Sequence, residues 1–127
     1  MKQVIASKEA PAAIGPYSQA IRHGNLVFLS GQLPVHATDG SVPAGIAAQT
    51  RQSLENMQRV LAASGCTLGD VVKTTCFLAD MALFQEMNAV YETFFTDAPP
   101  ARTTIAAREL PKGVLVEIDC MAISEQK

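Results

Sequence analysis

Apolar and polar residues recur along this chain with two different periods, and each change of period marks an element. "QVIA" near the start is a short strand candidate. "YSQAIRHGNLVFLSGQL" holds two strand-like runs around His23-Gly24-Asn25, where glycine and asparagine supply the positive-φ positions of a hairpin turn. "HATDGSVPAG" reads as a polar loop. From Gly45 the period lengthens. Ile46, Thr50, Leu54, Met57 and Leu61 recur at three- and four-residue steps, with Gln49, Arg51, Gln52, Glu55 and Arg59 largely on the other side. That spacing predicts an amphipathic helix ended by Ser64-Gly65. "DVVKTTCFLAD" is dense in β-branched residues and apolar on both faces, which predicts a central strand. "MALFQEMNAVYETFF" returns to helical spacing through Phe84, Met87, Tyr91 and Phe94 or Phe95, and Pro99-Pro100 halts this helix. "RTTIAA" and "VLVEIDCMAI" are the last two strands.

The predicted order, β-β-β-α-β-α-β-β, suits an α/β (α+β) domain spanning residues 1–127, a mixed sheet with two helices on one face. No third helix is available for the other face. Alternation along the last strand puts Val114, Val116, Ile118, Cys120 and Ala122 on one side, an apolar row suited to packing under helices. Leu115, Glu117, Asp119, Met121 and Ile123 fall on the opposite side. Two carboxylates thus share an uncovered face with apolar neighbours. A subunit packed there would partly desolvate them, and desolvated carboxylates need cationic or hydrogen-bonding partners. Arg102, heading the strand read as adjacent, is the candidate.

Composition supports association: 48% of the 127 residues are hydrophobic and 17% charged, more apolar surface than one small core needs. Ten Lys/Arg against twelve Asp/Glu leave a net charge of −2, and without a basic run this argues against nucleic-acid binding. No signal peptide is recognisable, and no segment approaches the roughly 20 apolar residues of a membrane span. Cys66, Cys76 and Cys120 form no CxxC pair and read as reduced, buried thiols of a cytoplasmic protein.

Candidate chemistry is sparse. His23 and His36 lie in expected loops as solvated residues with no third ligand at metal spacing. Ser30 in "SGQLP" has neither a GxSxG context nor a histidine placed to activate it, so Gly31 reads as a point of close backbone approach. Tyr17, after Gly15-Pro16, is a core residue or a pocket wall. Arg102 and Glu117 admit two readings. One is an interface ion pair. The other is a pocket at a subunit boundary, where a planar guanidinium holds a small anion and a carboxylate handles water.

"IGPYSQA", "LVFLSGQLP", "DVVKTTCFLADM", "FQEMNAVYETFF" and "PPARTTIAARELPKGVLVEID", in this order, resemble the reactive intermediate/imine deaminase family, also called RidA/YjgF/UK114. The resemblance covers essentially the whole chain. It implies a chorismate-mutase-like fold and a homotrimer with sheets inward, helices outward and intersubunit clefts. It also implies hydrolysis of 2-imino acids such as 2-iminopropanoate and 2-iminobutanoate, released by pyridoxal-phosphate dehydratases, with no cofactor or metal. Carried over by motif, Arg102 grips the substrate carboxylate and Glu117 positions the attacking water. Tyr17, Ser30 and Gly31 border the cleft, and Asn88 lies near it. Thr104 stands where many deaminases have a cysteine, at a position implied to make a backbone contact, and "FFTDAPPAR" is shorter than in many members. The family also includes proteins described as ribonucleases and holdases. The alternatives to catalysis are a 2-oxo-acid-binding trimer without turnover and a chaperone-like holdase.

Overall fold

The computed structural model describes residues 1–125. Six strands form one sheet: β1 (Gln3–Ile5), β2 (Ala20–His23), β3 (Leu26–Gln32), β4 (Val71–Leu78), β5 (Ala101–Ala106) and β6 (Val116–Ile123). Two helices, α1 (Ile46–Ala63) and α2 (Phe84–Phe94), complete the predicted order. Strands lie in the order β1-β2-β3-β6-β4-β5, with β4 and β5 parallel and all other neighbours antiparallel. Among the described residues no helix is long and apolar enough to cross a membrane.

The β2–β3 hairpin turns on Gly24 alone, at φ 62; Asn25 does not share the positive φ expected of it. A glycine in the first central position is the type II′ solution, which matches the twist of the flanking strands. α1 ends as the sequence predicts. Gly65 at φ 76 lets its N–H reach Ala62 O at 3.0 Å while the Cys66 N–H reaches Leu61 O at 2.8 Å. These are the two bonds of a Schellman motif, and they satisfy carbonyls that the helix end would otherwise orphan.

The core lies between the sheet and both helices. Val116, Ile118, Cys120 and Ala122 of β6 are buried with Val27 and Leu29 of β3 and with Cys76 and Leu78 of β4. Leu54, Met57, Val60 and Leu61 of α1 and Met87 and Tyr91 of α2 complete the same cluster. Each fully buried large aliphatic contributes about 1.5–3 kcal/mol relative to exposure, so this alternation fixes the register of β6. On the other face, Leu26, Phe28, Ile105, Met121 and Ile123 remain 37–46% exposed.

Two glutamines assigned to the outer side of α1 are buried. Gln49 accepts the Leu115 N–H at 2.7 Å and donates to Pro43 O at 3.0 Å. Gln52 donates to Asn56 Oδ1 at 2.9 Å, and Asn56 Nδ2 donates to Leu33 O and Val35 O, each at 2.9 Å. This flank of α1 is therefore a hydrogen-bonding surface for the irregular chain after β3. Polarity alone reads such residues as solvated; the backbone groups they satisfy are what draw them inside.

Candidate active site

The site residues predicted from sequence fall into two separate groups. The first surrounds Glu117 on the open face. Between Leu29 and Gln32, β3 advances three residues while β6 advances two, from Cys120 to Ile118. That is a bulge, and it holds Ser30 and Gly31 out of the regular ladder. Ser30 donates its N–H to Gln19 O at 3.0 Å and its Oγ–H to Ser18 O at 2.6 Å. The hydroxyl is thereby committed to fastening the segment just after Tyr17. This agrees with the reading that Ser30 is no nucleophile.

Gly31 makes room for Glu117. A Cβ built on Gly31 would lie 1.9 Å from Glu117 Oε2, so the carboxylate rests directly on the glycine backbone. Space rather than conformation requires glycine here. Tyr17 comes two residues after Gly15, whose φ of 113 suits glycine, and its N–H closes onto Gly15 O at 2.9 Å. Tyr17, Ser30, Gly31, Lys112 and Glu117 line a cavity of about 860 Å³ with apolar walls that include Ile14 and Val35. Burial, followed by the neighbouring Asp119 charge, raises the proton affinity of Glu117 above that of an ordinary glutamate. Asp119 has a different occupation, because its Oδ1 accepts the Thr75 N–H at 3.0 Å.

The second group surrounds Arg102 on the helix-covered face. Arg102 lies opposite Thr74 in the β4–β5 register, and Thr74 is bonded to the Tyr91 hydroxyl of α2 at 2.7 Å. Arg102 Nη1 donates to Asn88 Oδ1 at 2.7 Å. Its guanidinium carbon lies 4.8 Å from the Tyr91 ring centroid and 5.5 Å from that of Phe84. Thr104, the next residue of β5 on that face, lies opposite Cys76 with its hydroxyl oxygen buried.

Arg102 is therefore not the neighbour of Glu117 and Asp119 that the sequence suggests. β4 separates β5 from β6, and the two side chains point to opposite faces of the sheet. The difference lies in strand order: RTTIAA and VLVEIDCMAI are consecutive in sequence, but β5 pairs in parallel with β4 at the sheet edge.

Sequence reasoning also misses residues around both groups. Helical spacing marks Phe84 and Tyr91 only as core positions, although with Asn88 they occupy i, i+4 and i+7 of one face of α2. Nothing in the pattern singles out Lys112. It takes φ 59 between Pro111 and Gly113 and borders the cavity beside Glu117. Gln19 accepts the Ser7 N–H at 2.6 Å and donates to Pro11 O at 2.7 Å, anchoring the loop that carries Tyr17. His36, expected in solvent, is half-buried at the cavity edge. Among the described residues no three His, Cys, Asp or Glu side chains gather as a metal site. All three cysteines are buried free thiols, and burial raises Cys76 to about 11 and Cys120 to about 12.

The chain is thus a small α+β protein with a bulged third strand, a glycine-seated carboxylate and an arginine at the far sheet edge. The profile of the Endoribonuclease L-PSP family matches residues 7–124, and the chain belongs to this family, the RidA/YjgF proteins. It is 47% identical over 126 residues to the 2-iminobutanoate/2-iminopropanoate deaminase of Escherichia coli (strain K12), covering 97% of this chain and 98% of that protein. A RutC family protein of Pyrococcus horikoshii is also 47% identical, with 98% and 100% covered. Among solved structures, the YjgF gene product of E. coli superposes with a TM-score of 0.93 at 47% identity, over 95% of this chain and 98% of that one. E. coli TdcF with bound serine superposes with a TM-score of 0.92 at 40% identity, over the same shares.

Proposed function

We propose that this protein is a 2-iminobutanoate/2-iminopropanoate deaminase, a hydrolase acting on C=N bonds, whose site is completed between the subunits of a homotrimer. The observation that carries the mechanism is the Glu117 carboxylate seated on Gly31 in a largely apolar cavity, with raised proton affinity. Near-identity in length and 47% identity to the E. coli deaminase support the reaction class. The relative TdcF was crystallised with serine, a small molecule that also carries a carboxylate next to a nitrogen-bearing carbon.

The substrate is an iminium carboxylate. Water adds its oxygen to the imine carbon and passes one proton to Glu117. The resulting carbinolamine takes that proton on nitrogen, the C–N bond breaks to give ammonia and the 2-oxo acid, and Glu117 relays the hydroxyl proton to the departing ammonia. One water is consumed and ammonium leaves, with no change of oxidation state. A positioned acid–base group supplies about 10²–10⁴-fold. That suffices for a compound already labile in water. No covalent nucleophile is called for, in keeping with the committed Ser30 hydroxyl. Arg102 grips the substrate carboxylate as a planar fork. Tyr17, Ser30 and Gly31 border the bound imine, and Thr104 bounds the arginine side.

Arg102 and Glu117 lie on opposite faces of one sheet, so a single chain presents two half-sites. The exposed apolar residues of the open face give a neighbour a surface to cover. The partner sheet then brings its Glu117 to the Arg102 edge in a chorismate-mutase-like trimer. The enzyme acts in the cytoplasm on imines released by pyridoxal-phosphate dehydratases.

The test is a dehydratase assay in which semicarbazide traps the free imine. Wild type is expected to suppress semicarbazone formation. Glu117→Ala should lower kcat, and Arg102→Ala should raise KM. Refolding these two variants together should restore activity that neither has alone, because each supplies the half the other lacks. Wild-type activity in both single variants would overturn the residue roles, and failure of the mixture would overturn the shared site.

A further inference from the structure

The geometry points to Phe84 and Tyr91 as positioning residues that hold the Arg102 guanidinium in one plane before substrate arrives, an inference resting on Arg102 as the carboxylate anchor. An unrestrained arginine loses conformational freedom when it grips a ligand, and that loss weakens binding. Here α2 removes much of that freedom in advance. Phe84, Asn88 and Tyr91 lie on one helix face at four- and three-residue steps, and all three touch the same guanidinium. The two rings meet it through their π systems, at 4.8 and 5.5 Å from centroid to carbon. Asn88 fixes its rotation by accepting from Nη1 at 2.7 Å.

The Tyr91 ring is itself held from two sides. Its hydroxyl is bonded to Thr74 Oγ1 at 2.7 Å, and its centroid lies 4.7 Å from that of Phe95. Thr74 is the register partner of Arg102 on the next strand. The link therefore closes a ring of contacts, from Arg102 to Tyr91, to Thr74, and back through the β4–β5 ladder. Lysine could not use this cradle equally, because a compact ammonium has no plane to stack. Arg102 is only half-buried, so ordinary core packing does not account for two aromatic partners and a hydrogen bond on one edge-strand cation.

The experiment measures steady-state imine hydrolysis and melting temperature for Phe84→Leu, Tyr91→Leu and Tyr91→Phe, alone and with Arg102→Ala. Each leucine variant is expected to raise KM about three- to ten-fold, the range a lost cation–π contact allows, with kcat within about two-fold of wild type. Tyr91→Phe keeps the ring but loses the Thr74 bond, so its KM should rise less than that of Tyr91→Leu, with a lowered melting temperature. In the Arg102→Ala background the leucine changes should add nothing to KM. If Arg102→Ala raises KM but the leucine variants do not, the positioning role is wrong while the anchor stands. If Arg102→Ala leaves KM unchanged, the anchor itself is wrong and the inference falls with it. A Tyr91→Phe variant as impaired in KM as Tyr91→Leu would also overturn it, because the ring would then be irrelevant.

Discussion

Replacing Gly31 by alanine adds one methyl group at the point where Glu117 rests, and the structure gives the size of the disturbance. The new Cβ would lie 1.9 Å from Glu117 Oε2 and 2.8 Å from its carboxyl carbon, whereas ordinary contact begins near 3.4 Å. The carboxylate must therefore retreat by roughly 1.5 Å, a distance at which catalytic alignment is lost; misplacement by about 1 Å can cost 10²-fold. Stability should respond far less. The colliding atoms are the far end of a flexible side chain, and Gly31 does not use a positive φ. Reduced freedom of the unfolded chain even favours alanine by about 0.4–1 kcal/mol where the backbone is compatible. Gly31→Ala should thus lose about 10²-fold in kcat with KM changed little, because Arg102 is untouched, and its melting temperature should stay near wild type. The semicarbazide assay and a thermal melt read the two quantities separately. Adding Glu117→Ala to Gly31→Ala should bring little further loss, because both changes remove the same function. Wild-type kcat in a folded Gly31→Ala protein would refute the reasoning, as would fully additive losses in the double variant.

Two further outcomes rest on the same contacts. Because burial and then the Asp119 charge raise the Glu117 proton affinity, the acid limb of kcat/KM should lie above the ordinary glutamate range, with activity falling as pH drops through it. Asp119→Asn, which can still accept the Thr75 N–H, should move that limb to lower pH; a pH–rate profile shows whether it does. Asn56→Ala removes the donors to Leu33 O and Val35 O and should cost about 2–3 kcal/mol in denaturant unfolding, with the cavity wall after β3 loosened.

Much of this is legible in the residue pattern. The alternation along β6 assigns Val116, Ile118, Cys120 and Ala122 to the core and Glu117 and Asp119 to the open face, because a one-residue slip would bury both carboxylates. The stop at Ser64-Gly65 is equally readable, since glycine is the residue that a helix end at positive φ favours. What escapes depends on contacts distant in sequence. Gln49 and Gln52 look solvated by type, but are buried by the loop backbone they satisfy. The placement of Arg102 needs the strand order, and nothing local in ARTTIA shows that its neighbour is β4 rather than β6. The bulge at Ser30-Gly31 is visible only as a glycine in a strand. What approaches that glycine is the carboxylate of Glu117.

The separation of Arg102 and Glu117 to opposite faces bears on how activity first arises. A newly folded chain would carry both halves of the chemistry and be able to perform neither. In the proposed trimer, turnover begins only when chains meet, so at low abundance the rate should rise more steeply than in proportion to protein concentration. The chains still unassembled would be silent rather than sluggish. Expression level then becomes a threshold on function, set by the apolar face and not by the catalytic groups.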